Sequence, residues 1–298
     1  MRILALLFSI TFLLSACSDQ NDNVATPKLS TDKKLENIEY RFAIHPLHNP
    51  TRLFDVFNPL MDYLNARMPG VTFKVEASRN YAAFDDKLVN AEVPFALPNP
   101  YQTLLAIDSG YHVIAKMGDD ENFKGIILVR KDSNIESPLD LKGKTVSYPA
   151  PTALAATILP QYYLQKHGLD INKDISNKYV GSQESSIMNV FLGTTAAGAT
   201  WPPPWKALSE ERPELKKQLK VIWQTQSLPN NSVVVRNDVN PEHAEQVRQL
   251  LSTLHTTVEG KQILAGMYLS KYELADNATY SIVRNFTEEF SRTIRPLQ

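Results

Sequence analysis

From about residue 38 the chain alternates short β-like runs with helical ones, a pattern that restricts it to an α/β fold with largely parallel sheets. Ile38–Ile44 reads as a first strand and is followed by a turn through His45–Pro50. Leu53, Phe54, Phe57, Leu60, Met61 and Leu64 then recur at helical spacing. Val71–Ala77 alternates at period two. A helix through Tyr81–Leu88, a buried strand at Pro94–Leu97, a helix opened by Asn99-Pro100-Tyr101 and strands at Tyr111–Lys116 and Gly125–Arg130 complete a first series. A second series has strands at Thr145–Tyr148, Asn177–Val180 and Ala196–Trp201 with helices between them. Strands at Lys220–Gln224 and Ser232–Arg236 follow, and from about Pro241 the pattern is helical. Two extended stretches, near residues 124–131 and 222–236, join the two series. Such a double connection suits two α/β lobes joined by a two-stranded hinge around a central cleft.

The first 37 residues are of another kind. Arg2 precedes twelve residues, Ile3–Leu14, of Ile, Leu, Ala, Phe, Ser and Thr. As a helix they reach about 18 Å, short of the roughly 20 residues that a bilayer core requires. Residues 1–16 therefore read as a signal peptide. Leu14-Ser15-Ala16-Cys17 resembles the lipobox of bacterial lipoproteins, which implies cleavage before Cys17 and diacylation of its thiol (palmitate-type chains). Cys17 is the only cysteine in the sequence. Two acyl chains anchor stably where one is marginal. Residues 17–37 are polar and read as a lipidated flexible tether. Ser18 and Asp19 give mixed hints about inner versus outer membrane, which leaves the choice open. The implied location is the periplasmic side of a bacterial membrane.

About 260 of the 298 residues remain for the folded part, enough for one large domain or two modest lobes. Formal net charge is −1, or −2 once Arg2 leaves with the leader, and no basic stripe argues for nucleic acid. With Cys17 acylated the mature chain has no disulfide, so packing alone must supply stability. No P-loop, HExxH or nucleophile elbow is present, and no enzyme activity, cofactor or metal is expected. His45 and His48 lie three apart in a loop without cysteine or carboxylate company, so they read as cleft-lining or plain loop residues. Asp85-Asp86 and Asp119-Asp120-Glu121 read as solvated faces, and Glu184 as an electrostatic cap of its own helix. Pro202–Pro204 rigidify a strand-to-helix turn, with Trp201 on the cleft side and Trp205 buried in the lobe.

Several segments, in order, resemble the phosphate/phosphite/phosphonate-binding family of periplasmic substrate-binding proteins, the receptors of phosphonate-type ABC importers. They are Asn58–Leu64, Pro98-Asn99-Pro100-Tyr101, Leu128–Ile135, Leu139–Lys144, Tyr179-Val180-Gly181-Ser182 and Pro229–Arg236. The resemblance implies a type II periplasmic-binding-protein fold. Lobe 1 is then residues 38–126 plus 227–298, and lobe 2 residues 127–226. In the family an anion is held where a hydroxyl-rich segment opens the helix after the Thr145–Tyr148 strand. Here that segment is Pro151-Thr152-Ala153-Leu154-Ala155-Ala156. Gln183 stands where the family usually has histidine, Trp201 where it often has aspartate, and Leu97 where tyrosine is expected.

The expected ligand set is His48, Asn99, Tyr101, Tyr148, Thr152, Ser182, Gln183 and Trp201. Tyr148 and Trp201 suit a flatter, less charged or cationic ligand better than a phosphonate. The expected function is a monomeric lipid-anchored receptor that captures a small molecule by lobe closure and delivers it to an inner-membrane ABC permease. A sensory module docking on a histidine kinase or cyclase is the alternative, and a scaffold with a degenerate cleft is a third reading.

Overall fold

The structure, a computed structural model, describes residues 37–297. The segments read as signal peptide and tether, with Cys17, lie outside the described residues up to residue 36. Asn37, the first described residue, donates from its side-chain amide to Thr72 Oγ1 (2.8 Å). Among the described residues no helix is long and apolar enough to cross a membrane.

The chain opens with β1 (Ile38–Ile44), α1 (Pro50–Asn65), β2 (Val71–Glu76), α2 (Tyr81–Val89), β3 (Phe95–Leu97), α3 (Pro100–Asp108) and β4 (Tyr111–Met117). It continues through β5 (Lys124–Arg130), β6 (Thr145–Tyr148), α4 (Leu159–Lys166), β7 (Ser176–Tyr179), α5 (Gln183–Phe191), β8 (Ala197–Thr200), α6 (Pro202–Glu211), α7 (Pro213–Gln218) and β9 (Leu219–Ser227). It then returns through β10 (Ser232–Arg236), α8 (Pro241–Thr253), α9 (Val258–Gly266), β11 (Tyr272–Leu274) and α10 (Ser281–Thr293).

Two sheets result, in the orders β11-β4-β10-β3-β1-β2 and β7-β6-β8-β5-β9. The expectation of largely parallel sheets needs correction. β1 runs parallel to β2 and β3, and β6 parallel to β7 and β8. The strands next to the crossings break this pattern: β10 is antiparallel to β3 and β4, and β5 is antiparallel to β8 and β9. A strand entering a sheet from its neighbour arrives from the opposite end, so each sheet is mixed. The C-terminal region is also not wholly helical, because β11 pairs with β4 at the sheet edge. The stretch 137–144 holds a single 3₁₀ turn, Pro138–Leu141.

The chain passes between the sheets twice, from β4 to β5 and from β9 to β10, and the two crossings are laced together. Leu228 N–H donates to Phe123 O (3.1 Å). Asn230 donates from its backbone to Asp120 Oδ1 (2.9 Å) and from its side chain to Gly118 O (2.8 Å). This overturns the reading of Asp119-Asp120-Glu121 as a merely solvated face. Asp120 also pairs with Lys116 (2.8 Å), and Asp119 accepts from the Ser270 N–H (2.7 Å).

The core under the first sheet extends into the second lobe through Leu154, Ala155, Ile158, Leu159 and Trp201, and the second sheet packs two further cores. In the first lobe, Phe42, Phe73 and Phe95 meet face and edge, with ring centroids 5.4–5.9 Å apart. α1 adds Leu53, Phe57, Leu60 and Leu64 from one stripe. Its start is set by Asn49, whose side-chain oxygen accepts from Arg52 N–H (3.1 Å). In the second lobe, β5 feeds two cores: Ile127 and Val129 pack on one face, Leu128 on the other. A strand covered on both faces reads as the unbroken apolar run Ile126–Val129.

Gly125 decides how the helix after β6 lies on β5. A Cβ there would stand 2.5 Å from Ala155 O and 2.7 Å from the Pro160 ring. The backbone approach that glycine permits lets Leu154–Ile158, a π-turn preceding α4, press onto the sheet. Gly125→Ala is therefore expected to cost about 1–3 kcal/mol through overpacking. Urea denaturation followed by tryptophan fluorescence measures this, and an unchanged midpoint would contradict the close approach.

Candidate functional site

Parallel pairing puts the carboxyl ends of β1, β2 and β3 on one edge of the first sheet, and those of β6, β7 and β8 on one edge of the second. The loops leaving these ends are where ligands of open α/β sheets sit. In this structure the two sets of loops touch.

Asn99 caps α3 by accepting at Oδ1 from the N–H groups of Tyr101 (2.9 Å) and Gln102 (3.1 Å). Its Nδ2 donates across the lobes to Thr152 O (3.2 Å). Gln102 returns the cap through Oε1 and donates from Nε2 to Asp85 Oδ1 (2.6 Å). Thr152 Oγ1 donates to the other oxygen of Asp85 (3.1 Å). Asp85 is thus a junction between lobes and not the solvated residue expected. Burial pushes its carboxyl up to about 6, against the lowering effect of the Gln102 and Thr152 hydrogen bonds.

Gln183 accepts at Oε1 from Thr200 Oγ1 (2.8 Å) and turns its amide toward Tyr81 OH (3.4 Å). His48 Nδ1 lies 3.8 Å from Glu184 Oε1, which also accepts from Asn49 N–H (3.4 Å). Burial works to raise the Glu184 carboxyl, but His48 and the nearby backbone N–H groups hold it below its ordinary value on balance. Glu184 therefore reaches across to the other lobe in addition to standing in the first turn of α5. His45 Nδ1 lies 2.9 Å from Leu97 O, so this nitrogen carries the proton. Burial lowers the His45 imidazole to about 4, leaving it neutral with Nε2 as an acceptor.

Trp201 is buried and meets Phe123 edge-on, with centroids 5.6 Å apart. Trp205 is half-buried against the core around Leu128. Between the lobes, His45, Tyr81, Asn99, Leu154, Gln183 and Trp201 help to wall a cavity of only about 10 Å³. That is room for about one water. No lysine or arginine lines it. Beside it lies a cavity of about 750 Å³ walled by the start of α2, the loop after β6, Tyr179 and Arg295.

Of the eight expected residues, Asn99, Thr152, Gln183 and Trp201 come together here, and His48 meets the opposite lobe at the cleft margin. Ser182 caps α5, accepting from Ser185 N–H (3.0 Å) and bonding Ser185 Oγ. Tyr101 lines a separate cavity beside α10 with Thr287 and Arg292, and burial raises its hydroxyl to about 12. Tyr148 is fully buried in the second lobe's core, its ring 6.0 Å from Tyr179. It sits on the inner side of its strand, not at the cavity. Tyr81, Asp85, Glu184 and Arg295 were missed. A signal for Asp85 existed: it stands four residues after Tyr81 and three before Leu88, on the face that α2 buries.

A family model described as "ABC transporter, phosphonate, periplasmic substrate-binding protein" matches residues 42–280. The chain belongs to this family. A probable ABC transporter phosphite-binding protein, PhnD1 of Prochlorococcus marinus strain MIT 9301, is 23% identical over 199 residues. That match spans 62% of this chain and 66%, just under two thirds, of the relative. The crystal structure of PhnD1 from the same organism with methylphosphonate superposes with a TM-score of 0.78 at 19% identity, covering 87% of this chain and 99% of that one. A binding-protein component of a phosphonate ABC transporter from Pseudomonas aeruginosa gives 0.77 at 21% identity, covering 86% and 88%. The two mixed sheets are thus a type II periplasmic-binding fold.

The raised Asp85 carboxyl has a stability consequence. Its folded value, about 6, lies above its ordinary 3.8. Its contribution is therefore fully present below about pH 4 and is lost as pH rises through 6. Asp85→Asn keeps an oxygen for Gln102 and can donate to Thr152. Thermal melts should show the variant more stable than the parent at pH 8, with the advantage gone by about pH 4. A pH-independent difference would contradict the assignment.

Proposed function

We propose that this chain is a lipid-anchored solute receptor, held at the membrane through Cys17, that captures a small organic molecule between its lobes and presents the occupied form to an ABC permease. The lobes are residues 38–126 with 227–298, and residues 127–226. They rotate about the laced crossings, and closure forms the contacts of Asn99 with Thr152, Gln183 with Tyr81, and His48 with Glu184. The receptor acts as a monomer.

The ligand is less charged than a phosphonate. One observation supports this above the others: the cleft floor, where a captured anion would be most fully desolvated, is lined by neutral His45, by the apolar Ala153–Ala156 and by Trp201, with no cationic side chain. A doubly charged anion leaving water needs several charge-assisted hydrogen bonds. Helix N-termini alone supply a minority of them. Methylphosphonate is the ligand of the Prochlorococcus protein; the side chains in this cavity favour a different cargo.

Calorimetric titration of the full chain, purified in detergent, with methylphosphonate, phosphite and phosphate is expected to give no micromolar binding. Micromolar heat from any of the three would overturn the ligand assignment. Delivery to a permease predicts that the ligand-loaded receptor, and not the apo form, stimulates ATP hydrolysis by its transporter in proteoliposomes.

A further inference from the structure

The cavity of about 750 Å³ beside the cleft floor falls in the usual size range of small-molecule sites. Three segments wall it. The start of α2 contributes Tyr81, Asp85 and Asp86. The second lobe contributes the loop Pro149–Thr152 and Tyr179. The tail after α10 contributes Arg295 and Pro296.

Its charges are unusual in how they are held. Asp85 is bonded by two neutral donors, Gln102 and Thr152. Asp86 stands beside it, exposed. Arg295 donates to three neutral acceptors, Gln161 Oε1 (2.9 Å), Pro151 O (2.7 Å) and Pro296 O (3.3 Å), and its guanidinium lies 5.3 Å from the Phe290 ring centroid. Neither Asp85 nor Arg295 takes part in an ion pair among the described residues, although both face one cavity. A carboxylate and a guanidinium that are each oriented by neutral hydrogen bonds, and not neutralised by a partner, are preorganised for charges brought from outside. The guanidinium fork fits a carboxylate in a bidentate way, and a carboxylate accepts an ammonium. Tyr81 and Tyr179 offer ring surface to the carbon chain between the two.

We propose that this cavity, at the rim of the cleft floor, holds the captured molecule's charged groups and takes an amino-carboxylate zwitterion, its ammonium at Asp85 and Asp86 and its carboxylate at Arg295. The proposal rests on the receptor reading above and names the class of its cargo: a molecule of no net charge that carries both signs. The cleft floor, with room for about one water, is the contact surface that brings the lobes together, and the ligand sits at its rim.

The test is calorimetric titration of the full chain in detergent at pH 7.5 with glycine, 4-aminobutyrate and 6-aminohexanoate. Each is run beside the amine and the carboxylate of the same chain length. At least one zwitterion is expected to bind ten-fold or more tightly than both of its singly charged analogues. Asp85→Asn should reduce that affinity ten-fold or more while leaving the plain carboxylate unaffected. Arg295→Gln should do the reverse, leaving the plain amine unaffected. Asp86→Asn, at an exposed position, should weaken the zwitterion by a few fold. Because Asp85→Asn is expected to melt higher than the parent at this pH, loss of binding cannot be assigned to unfolding.

The proposal is overturned if no zwitterion binds, if the singly charged analogues bind equally well, or if both charge-removing variants retain full affinity. Micromolar binding of a phosphonate overturns the wider ligand reading. Binding of an uncharged organic molecule overturns the zwitterion assignment alone.

Discussion

Asn230 ties together the two strands of chain that pass between the sheets, and the geometry of the cleft depends on it. Its backbone and side chain reach Asp120 and Gly118 on the other crossing, while Tyr280 OH donates to its carbonyl. Asn230 is almost wholly buried, so these bonds act in a low-dielectric setting where an unmade one would be costly. Lacing the crossings side by side turns two flexible links into one element. Everything that faces the cleft, from His45 to Trp201, takes its position relative to that element.

Much of the fold was legible in the sequence because each lobe follows local rules. Strands such as Thr145–Tyr148 and Ser232–Arg236 were bounded by turns, and α1 and α3 by asparagine caps followed by proline. Strand direction was not legible. Nothing in the apolar run of β5 or β10 says whether a neighbour runs with it or against it, since both are covered on two faces. β11 was hidden for a related reason. It has three residues and sits at a sheet edge, where pairing and not composition makes it a strand.

The site was legible in part. Asn99, Thr152, Gln183 and Trp201 lie at strand ends or helix starts, and parallel strands bring such positions to one edge. Tyr148 failed that reasoning because the last residue of a strand points to one face or the other with period two, and here the face is the core. Charge was the least legible property. Asp85 and Asp86 look alike in sequence, yet a 100° step around α2 buries one beside Gln102 and Thr152 and leaves the other in water. Arg295 lay in a tail with no pattern at all. Its role follows from where α10 ends.

That tail has a mechanical consequence. Two crossings define an axis about which lobes can turn. The end of α10 adds a further attachment between the lobes, through Tyr162 to Glu289, Asn172 to the Ile294 carbonyl, and Arg295 to Gln161 and Pro151. A door held at a third point swings only if that point lets go or travels with it. Any rotation of the lobes would therefore have to break these bonds together or carry α10 along.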